Sequence, residues 1–204
     1  MKEAAPSAAP ADGVQPVPPP APGADRRPSL DFADSTAALP GGQRYDALET
    51  PDTARRWLLG RDLIAPDVRM YEVCAARTRT LRGHVRALFT ARVEERMAPA
   101  ESLRAVNEAL TRVPTAPLLT WDETDGPRRV QLHPTDQAVD HALAALAADA
   151  ADLLTGPDAA LLAACGAAPC DRFLLRTHGR RHWCSTRCGD RVRAARAYAR
   201  RSGA

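Results

Sequence analysis

Apolar positions recur at helical spacing over most of the chain. Thr50-Pro51-Asp52 is a helix start, with Thr50 as N-cap and proline at the first helical position. That helix carries Trp57, Leu58 and Leu59 and stops near Gly60. A second start at Ala65-Pro66-Asp67 opens a long helix. Its stripe is Val68, Tyr71, Cys74, Ala75, Thr78, Leu81, Val85, Leu88 and Phe89, and it ends before Pro99. Residues 102–113 predict a third helix through Leu103, Val106, Asn107 and Leu110. The pattern then changes. Residues 117–121 and 128–133 are two short segments around a turn at Asp125-Gly126, which predict a β-hairpin. An Ala-rich helix over 135–154 places Val139, Leu143, Leu146, Ala150 and Leu153 on one face, and Gly156-Pro157 ends it. From Asp190 to Arg201 a last helix has Val192, Ala195, Tyr198 and Ala199 on one face and Arg193, Arg196 and Arg200 on another. The apolar face is expected to pack on the preceding residues and the arginine face to stay free.

The predicted fold class is mainly α (α+β), a helical domain with a small hairpin and a C-terminal four-cysteine finger ending in a helix. Residues 1–28 are rich in Pro and Ala and are expected to be disordered, since they cannot bury enough surface to fold. At Leu30-Asp31-Phe32 the composition turns apolar, residues 37–49 are expected to form a Gly-containing loop, and the helical domain is taken as 29–160 and the finger as 161–204. Aromatic residues are only 4%, so the core rests on Ala, Leu and Val. Trp57 and Trp121 are read as core or pocket-lining residues. Cys74 is a small core residue on the long helix, and Arg69, Arg77, Arg79, Arg82 and Arg86, with no acidic neighbours in sequence, are read as a solvated surface.

Charge sharpens the division. The net charge is +3, but residues 165–204 hold ten Arg against Asp171 and Asp190, which gives +8 there and −5 elsewhere. A basic tail on an acidic body predicts a polyanionic partner for the tail. No apolar run is long enough to span a membrane, and the N-terminus lacks the apolar block of a secretory signal. The expected location is therefore cytoplasmic. In that reducing setting, close cysteine pairs point to metal rather than disulfides.

The cysteines supply the strongest chemical pattern. Cys165 and Cys170 form C-x4-C, thirteen residues follow, and Cys184 and Cys188 form C-x3-C. Two close pairs joined by a loop suit a tetrahedral Zn²⁺ site with Zn–S bonds of about 2.3 Å. Four thiolates leave no open position, so the zinc is structural. With metal bound the module keeps a charge of about +6. Phe173 and Trp183 are expected to close its small core, and His178 and His182 to contact phosphate or solvent rather than metal.

The stretch from Phe173 to Arg201 resembles the CGNR zinc finger. The matching elements are the C-x4-C pair, the run Arg180, Arg181, Trp183, Cys184, Ser185, the core Cys188, Gly189, Arg191, and an Arg-rich terminal helix. Asp190 stands where that family has Asn. The preceding part resembles the ABATE domain assigned to stress-induced transcription regulation. Leu30-Asp31-Phe32 matches its opening Leu-Asp-Phe-Val-Asn, and Ala33 and Asp34 depart from it. The resemblance implies transcription regulation through duplex DNA. Candidate DNA contacts are Arg180, Arg181, Arg187, Arg191, Arg193, Arg196 and Arg200, with Arg172 and Arg176 adding phosphate contacts. By analogy the helical domain is a sensor or dimerisation unit, with a second copy of the chain or a small molecule as its partner. Alternatives are a zinc-stabilised module docking an acidic protein, and a thiol redox sensor that releases zinc. His133 and His141 have no partner cluster, and no nucleophile elbow, phosphate loop or carboxylate pair appears, so an enzyme is not expected.

Overall fold

The computed structural model describes residues 17–113, 118–124, 126–130, 137–179 and 181–203. Among the described residues, six α-helices carry the fold: α1 (Pro28–Ala33), α2 (Pro51–Leu59), α3 (Glu72–Val93), α4 (Ala100–Thr111), α5 (Ala138–Thr155) and α6 (Thr186–Arg201). Three antiparallel two-stranded hairpins lie between them: β1 (Thr36–Ala38) with β2 (Arg44–Asp46), β3 (Leu118–Asp122) with β4 (Gly126–Val130), and β5 (Leu162–Ala164) with β6 (Phe173–Leu175). The fold is mainly α with small hairpins, as the apolar periodicity predicts.

α3 and α5 form the centre of the helical domain: α3 meets α1, α2, α4 and β5, and α5 is packed by α1, α3 and α4. Leu146, Ala147, Ala150 and Leu153 of α5 are completely buried, and the alanines let neighbouring helices approach closely. Gly156 ends it. A Cβ there would lie 2.6 Å from the Asp152 carbonyl oxygen, so the chain can leave the helix this tightly only at glycine. α2 starts at the expected Thr50 N-cap, which the structure completes as a capping box, with Thr50 and Thr53 exchanging side-chain-to-backbone bonds, and its Trp57 meets Phe32 of α1 at 5.6 Å between ring centroids.

Several expectations need correction. The long helix begins at Glu72, not at Val68, because Arg55 of α2 binds the carbonyls of Pro66 and Val68 that a helix would use. Val68 still enters the core, but Tyr71, at the N-cap, is exposed. α3 ends through paired bonds from Arg96 to Ala91 and from Glu95 to Arg92, with Glu95 at φ 52°. On α4, Val106 is buried but Leu103 faces outward. Residues 36–46, almost all of them in the expected loop of 37–49, form the β1–β2 hairpin. The predicted hairpin exists in the register Thr120 opposite Arg128, with β4 starting at Gly126. Its Trp121 is 77% exposed, contrary to the core reading, because the two strands stand off from the helices. Asp125, residues 131–133 with His133, and Thr135 lie outside the described residues.

The arginines of α3 are also not a solvated row. Arg82 is buried and bidentate to Asp46 at 2.7 Å, Arg77 pairs with Asp140, and Arg79 pairs with Glu72. The acids are remote in sequence, or a full two turns away, which is why neighbouring residues do not reveal them.

β5 and β6 form a wall with two sides. Strand side chains alternate, so Phe173 and Leu175 enter the main helical core while Leu174 between them enters a second, smaller core. Leu162 and Ala163 divide in the same way. Phe173 meets Phe89 of α3 edge-on at 5.6 Å, so it does not close the cysteine core as expected. Trp183 does pack there. The small core also takes Ala21 from the N-terminal segment. Residues 17–27, read as part of a disordered tail, instead lie against this wall. The Pro22 carbonyl accepts from the Leu175 N–H at 2.8 Å, and Gly23, at φ 94°, sits where any Cβ would strike Leu175. Pro and Ala composition hides this, since the segment is held by backbone bonds, by the buried methyl groups of Ala21 and Ala24, and by Arg27 pairing with Asp149 and Asp158, acids 122 and 131 positions away. Residues 1–16 lie outside the described residues.

Candidate metal centre and basic helix

Each cysteine pair is placed by a short local motif. Cys165 follows β5, and its N–H bonds the Arg172 carbonyl at 2.8 Å, which extends the hairpin by one rung. The Cys170 N–H turns back to the Ala167 carbonyl at 2.9 Å. Cys184 precedes α6, whose N-cap is Ser185. The Ser185 hydroxyl accepts from the Cys188 N–H at 3.3 Å and so brings Cys188 round beneath Cys184.

The four ligand atoms lie within 4.8 Å of one another. Cys184 Sγ is 3.7 Å from both Cys170 Sγ and Cys188 Sγ. Four Zn–S bonds of about 2.3 Å in a tetrahedron give edges of about 3.8 Å, so the spacing fits a tetrahedral thiolate-bound ion. It is far beyond the roughly 2.05 Å of a disulfide, and all five cysteines are free. His178 and His182 are outside the cluster and exposed.

Electrostatics favour a cation here. Without one the thiols share protons. Hydrogen bonds from Cys170 and Cys184 hold the Cys165 thiol far below its ordinary range, while hydrogen bonding with Cys165 pushes Cys170 and Cys184 above it. One divalent ion lets all four be thiolates, leaving a charge of −2. Two arginines meet that charge, Arg191 at 3.5 Å from Cys188 Sγ and Arg172 at 3.9 Å from Cys184 Sγ. The Cys184 N–H adds a bond to Cys165 Sγ at 3.4 Å.

Arg172 is buried and cannot contact phosphate, which corrects that expectation. Its Nε bonds Asp34 Oδ2 at 3.1 Å, and its guanidinium also reaches the Pro19 carbonyl at 2.9 Å. Asp34 accepts from the Phe173 N–H at 2.8 Å through its other oxygen. Burial pushes the Asp34 carboxyl up to about 7, against the lowering effect of Arg172. Beside it, Asp171 accepts from the Ala38 N–H and pairs with Arg44 and Arg86. Arg86 further binds the carbonyls of Ala33 and Asp171, both at 2.7 Å. Asp34, Asp171 and Arg172 thus fasten the cysteine module to the helical domain. Sequence reasoning missed them. The available signal was Asp171-Arg172 directly after a ligand, together with Asp34 at a position where the resembled motif has Asn.

The remaining arginines divide by environment. Arg191 binds the carbonyls of Ala167 and Ala168 and so belongs to the scaffold. Arg193 pairs with Asp190 at 2.6 Å and lies over the Trp183 ring at 5.7 Å. Gly189 makes that stacking possible, because a Cβ there would lie 3.1 Å from both Trp183 and Arg193. Arg187, Arg196, Arg200 and Arg201 are exposed, and among the described residues none forms an ion pair. Arg181 is half-buried, Arg176 is exposed, and Arg180 lies outside the described residues. On α6 only Cys188, Gly189 and half-buried Val192 pack inward. Ala195, Tyr198 and Ala199 are exposed, so the apolar face is not packed on the module as expected. The helix runs on past it.

Two family models match. The ABATE model, described as "putative stress-induced transcription regulator", covers residues 26–157, and the CGNR zinc finger model covers residues 162–201. No curated protein matches the chain. Among the described residues no helix is long and apolar enough to cross a membrane. The match over 26–157, with the clustered cysteines after it, makes the chain a member of the ABATE family that carries a C-terminal CGNR zinc finger.

Proposed function

We propose that the chain is a non-enzymatic transcription regulator that binds duplex DNA through α6, with Zn²⁺ holding that helix in place. One observation carries the reading. α6 bears six arginines and one aspartate, and its residues beyond the second turn project from the finger into solvent. Zinc does no chemistry in this account, because four thiolates complete its coordination. It joins Cys165 and Cys170 of the hairpin side to Cys184 and Cys188 at the start of α6, and so fixes the direction of the helix. The arginine-bearing helix suits a major groove, with phosphate contacts supplying most of the affinity. The protein works in the cytoplasm, on the nucleoid, and the helical domain acts as sensor or dimerisation unit. A cavity of about 260 Å³ between α3, α4 and α5, lined by Arg77, His84, Arg112 and Asp140, gives a sensor role a place to operate.

Fluorescence anisotropy of the zinc-loaded chain on labelled duplex DNA tests the reading. With five phosphates engaged, log K against log salt falls with a slope of about −4.5. Chelation of the metal should abolish binding. Absence of binding at low salt, or a flat salt response, refutes it, and capture by an acidic protein without that slope would favour the interaction-module reading.

A redox reading has one supporting observation. A cavity of about 410 Å³ opens onto Cys170, Cys184 and Cys188. Release of zinc by dilute peroxide, with loss of DNA binding, would support it, and zinc that stays bound under peroxide removes it.

A further inference from the structure

The structure assigns the base-reading face of α6 to Arg187, Ala194, Tyr198 and Arg201, and not to the Arg193–Arg196–Arg200 stripe that sequence periodicity singles out. This rests on the reading of α6 as a DNA-binding helix. Successive helical residues are rotated by about 100°, so the side that packs inward fixes the side that faces out. Cys188, Gly189 and Val192 define the inward side. Arg187, Ala194, Tyr198 and Arg201 all lie within about 60° of the opposite direction. Arg193 and Arg200 lie about 80–100° from it, on the flanks, and Arg196 lies about 140° away, back towards the finger.

The chemistry of the outward face matches a groove floor. Ala194 and neighbouring Ala197 have no bulk, so the helix axis can approach the base edges. Tyr198 is 68% exposed, which leaves an aromatic ring and a hydroxyl without a place in either core. Its ring can pack on a thymine methyl group, and its hydroxyl can donate or accept. Arg187 and Arg201, exposed at the two ends of the face, carry the forked donors that fit guanine O6 and N7. The two are separated by about 21 Å of helix, enough for a recognition surface in a groove that admits one helix. Arg193 is held by Asp190 and Trp183 and points to the side, where phosphates line a groove. Arg200 follows it two turns later. Charge decides the occupant, since six arginines against one aspartate on a bare helix complement a polyanion.

The test is binding selection from random duplex DNA with the zinc-loaded full chain, followed by affinity and salt series on the selected duplex and an unrelated one. Tyr198→Ala and Arg187→Ala are compared with Arg200→Ala, with zinc content and helical circular dichroism confirming intact folding. Tyr198→Ala or Arg187→Ala should weaken the selected duplex about ten- to hundredfold, change the selected base at one position, and leave the unrelated duplex nearly unaffected. Arg200→Ala should weaken both duplexes alike and reduce the salt slope by about 0.9 without changing the selected sequence. The assignment fails if Arg200→Ala or Arg196→Ala changes the sequence read, if Tyr198→Ala and Arg187→Ala both behave as wild type, or if the wild type binds without sequence preference. A wild type that binds no duplex removes the DNA reading itself, and the assignment with it.

Discussion

Replacing Asp34 by alanine should unfold the boundary between the helical domain and the finger. In the native chain the Asp34 and Arg172 side chains are 1% and 5% exposed, and their atoms meet at 3.1 Å. Alanine leaves a buried guanidinium without its carboxylate and the buried Phe173 N–H without its acceptor. Breaking one side of a buried ion pair costs about 3–5 kcal/mol, a large share of the 5–15 kcal/mol that holds a typical domain. Asn at the same position keeps one acceptor oxygen for the Phe173 N–H but loses the charge and the oxygen that accepts from Arg172 Nε, so Asp34→Asn should cost less than Asp34→Ala without being mild. Removing both charges together, as Asp34→Leu with Arg172→Met, leaves no orphaned ion and should be milder than Asp34→Ala alone. Urea titration in excess zinc measures all four proteins. Trp57 reports on the helical core and Trp183 on the finger, while exposed Trp121 is replaced by Phe to remove its background. A cost below about 1 kcal/mol for Asp34→Ala, or a double variant no milder than Asp34→Ala, would show that the pair does not carry this boundary.

Asp190→Asn removes the carboxylate that holds Arg193 at 2.6 Å; duplex affinity at low salt should rise severalfold and the salt slope steepen by up to about 0.9, measured by anisotropy. Gly23→Ala puts a Cβ 2.6 Å from Leu175 Cγ at a φ of 94°, so it should lower stability by about 1–3 kcal/mol in thermal unfolding, although no polar contact is lost. Burial tends to raise the Asp46 carboxyl, but bonds from Arg82 and the Leu48 N–H outweigh it and hold the group below its ordinary value. Its contribution is therefore present above about pH 4 and lost as pH falls further, and the acid limb of the stability curve should be shallower in Asp46→Asn. Chelating zinc should lower the midpoint of the Trp57 signal as well as the Trp183 signal, because the β5–β6 wall belongs to both cores; a Trp57 transition that ignores zinc would show the finger to be independent.

What the sequence made legible follows the range of the forces involved. Helices α2 and α5 and the cysteine cluster rest on local signals, an N-cap threonine before proline, a 3.6-residue period and close ligand spacing, and these can be read within one window of chain. The N-terminal strap and the arginine pairs were not legible because their partners are distant. Arg82 meets Asp46 across 36 positions and Arg172 meets Asp34 across 138. A buried arginine and a solvated one look alike in sequence, and only the acid that folding brings beside it tells them apart. Phe173 was misplaced for a related reason. Period-2 alternation on a strand shows that Phe173 and Leu174 face opposite ways, but not which face meets which core. For α6 the amphipathic pattern is real, yet the finger is only two turns deep along it, so Ala195 and Tyr198 lie beyond anything that could bury them.

The placement of the wall decides how the two parts can communicate. If the finger hung from α5 on a linker, the helical domain could regulate α6 only by changing its local concentration near DNA. Here β6 carries Phe173 into the helical core, and the residues just before it, Cys170, Asp171 and Arg172, hold a metal ligand, the Arg86 clamp and the Asp34 pair in three successive positions. Arg172 then touches Cys184, two residues before α6 begins. A shift of α3 that moved Arg86 would act on the Ala33 and Asp171 carbonyls together, and so on both ends of this chain of contacts. Coupling of this kind is reciprocal, so under the proposed function DNA that fixed α6 would in turn favour whichever packing of the helical core holds α6 in its bound direction.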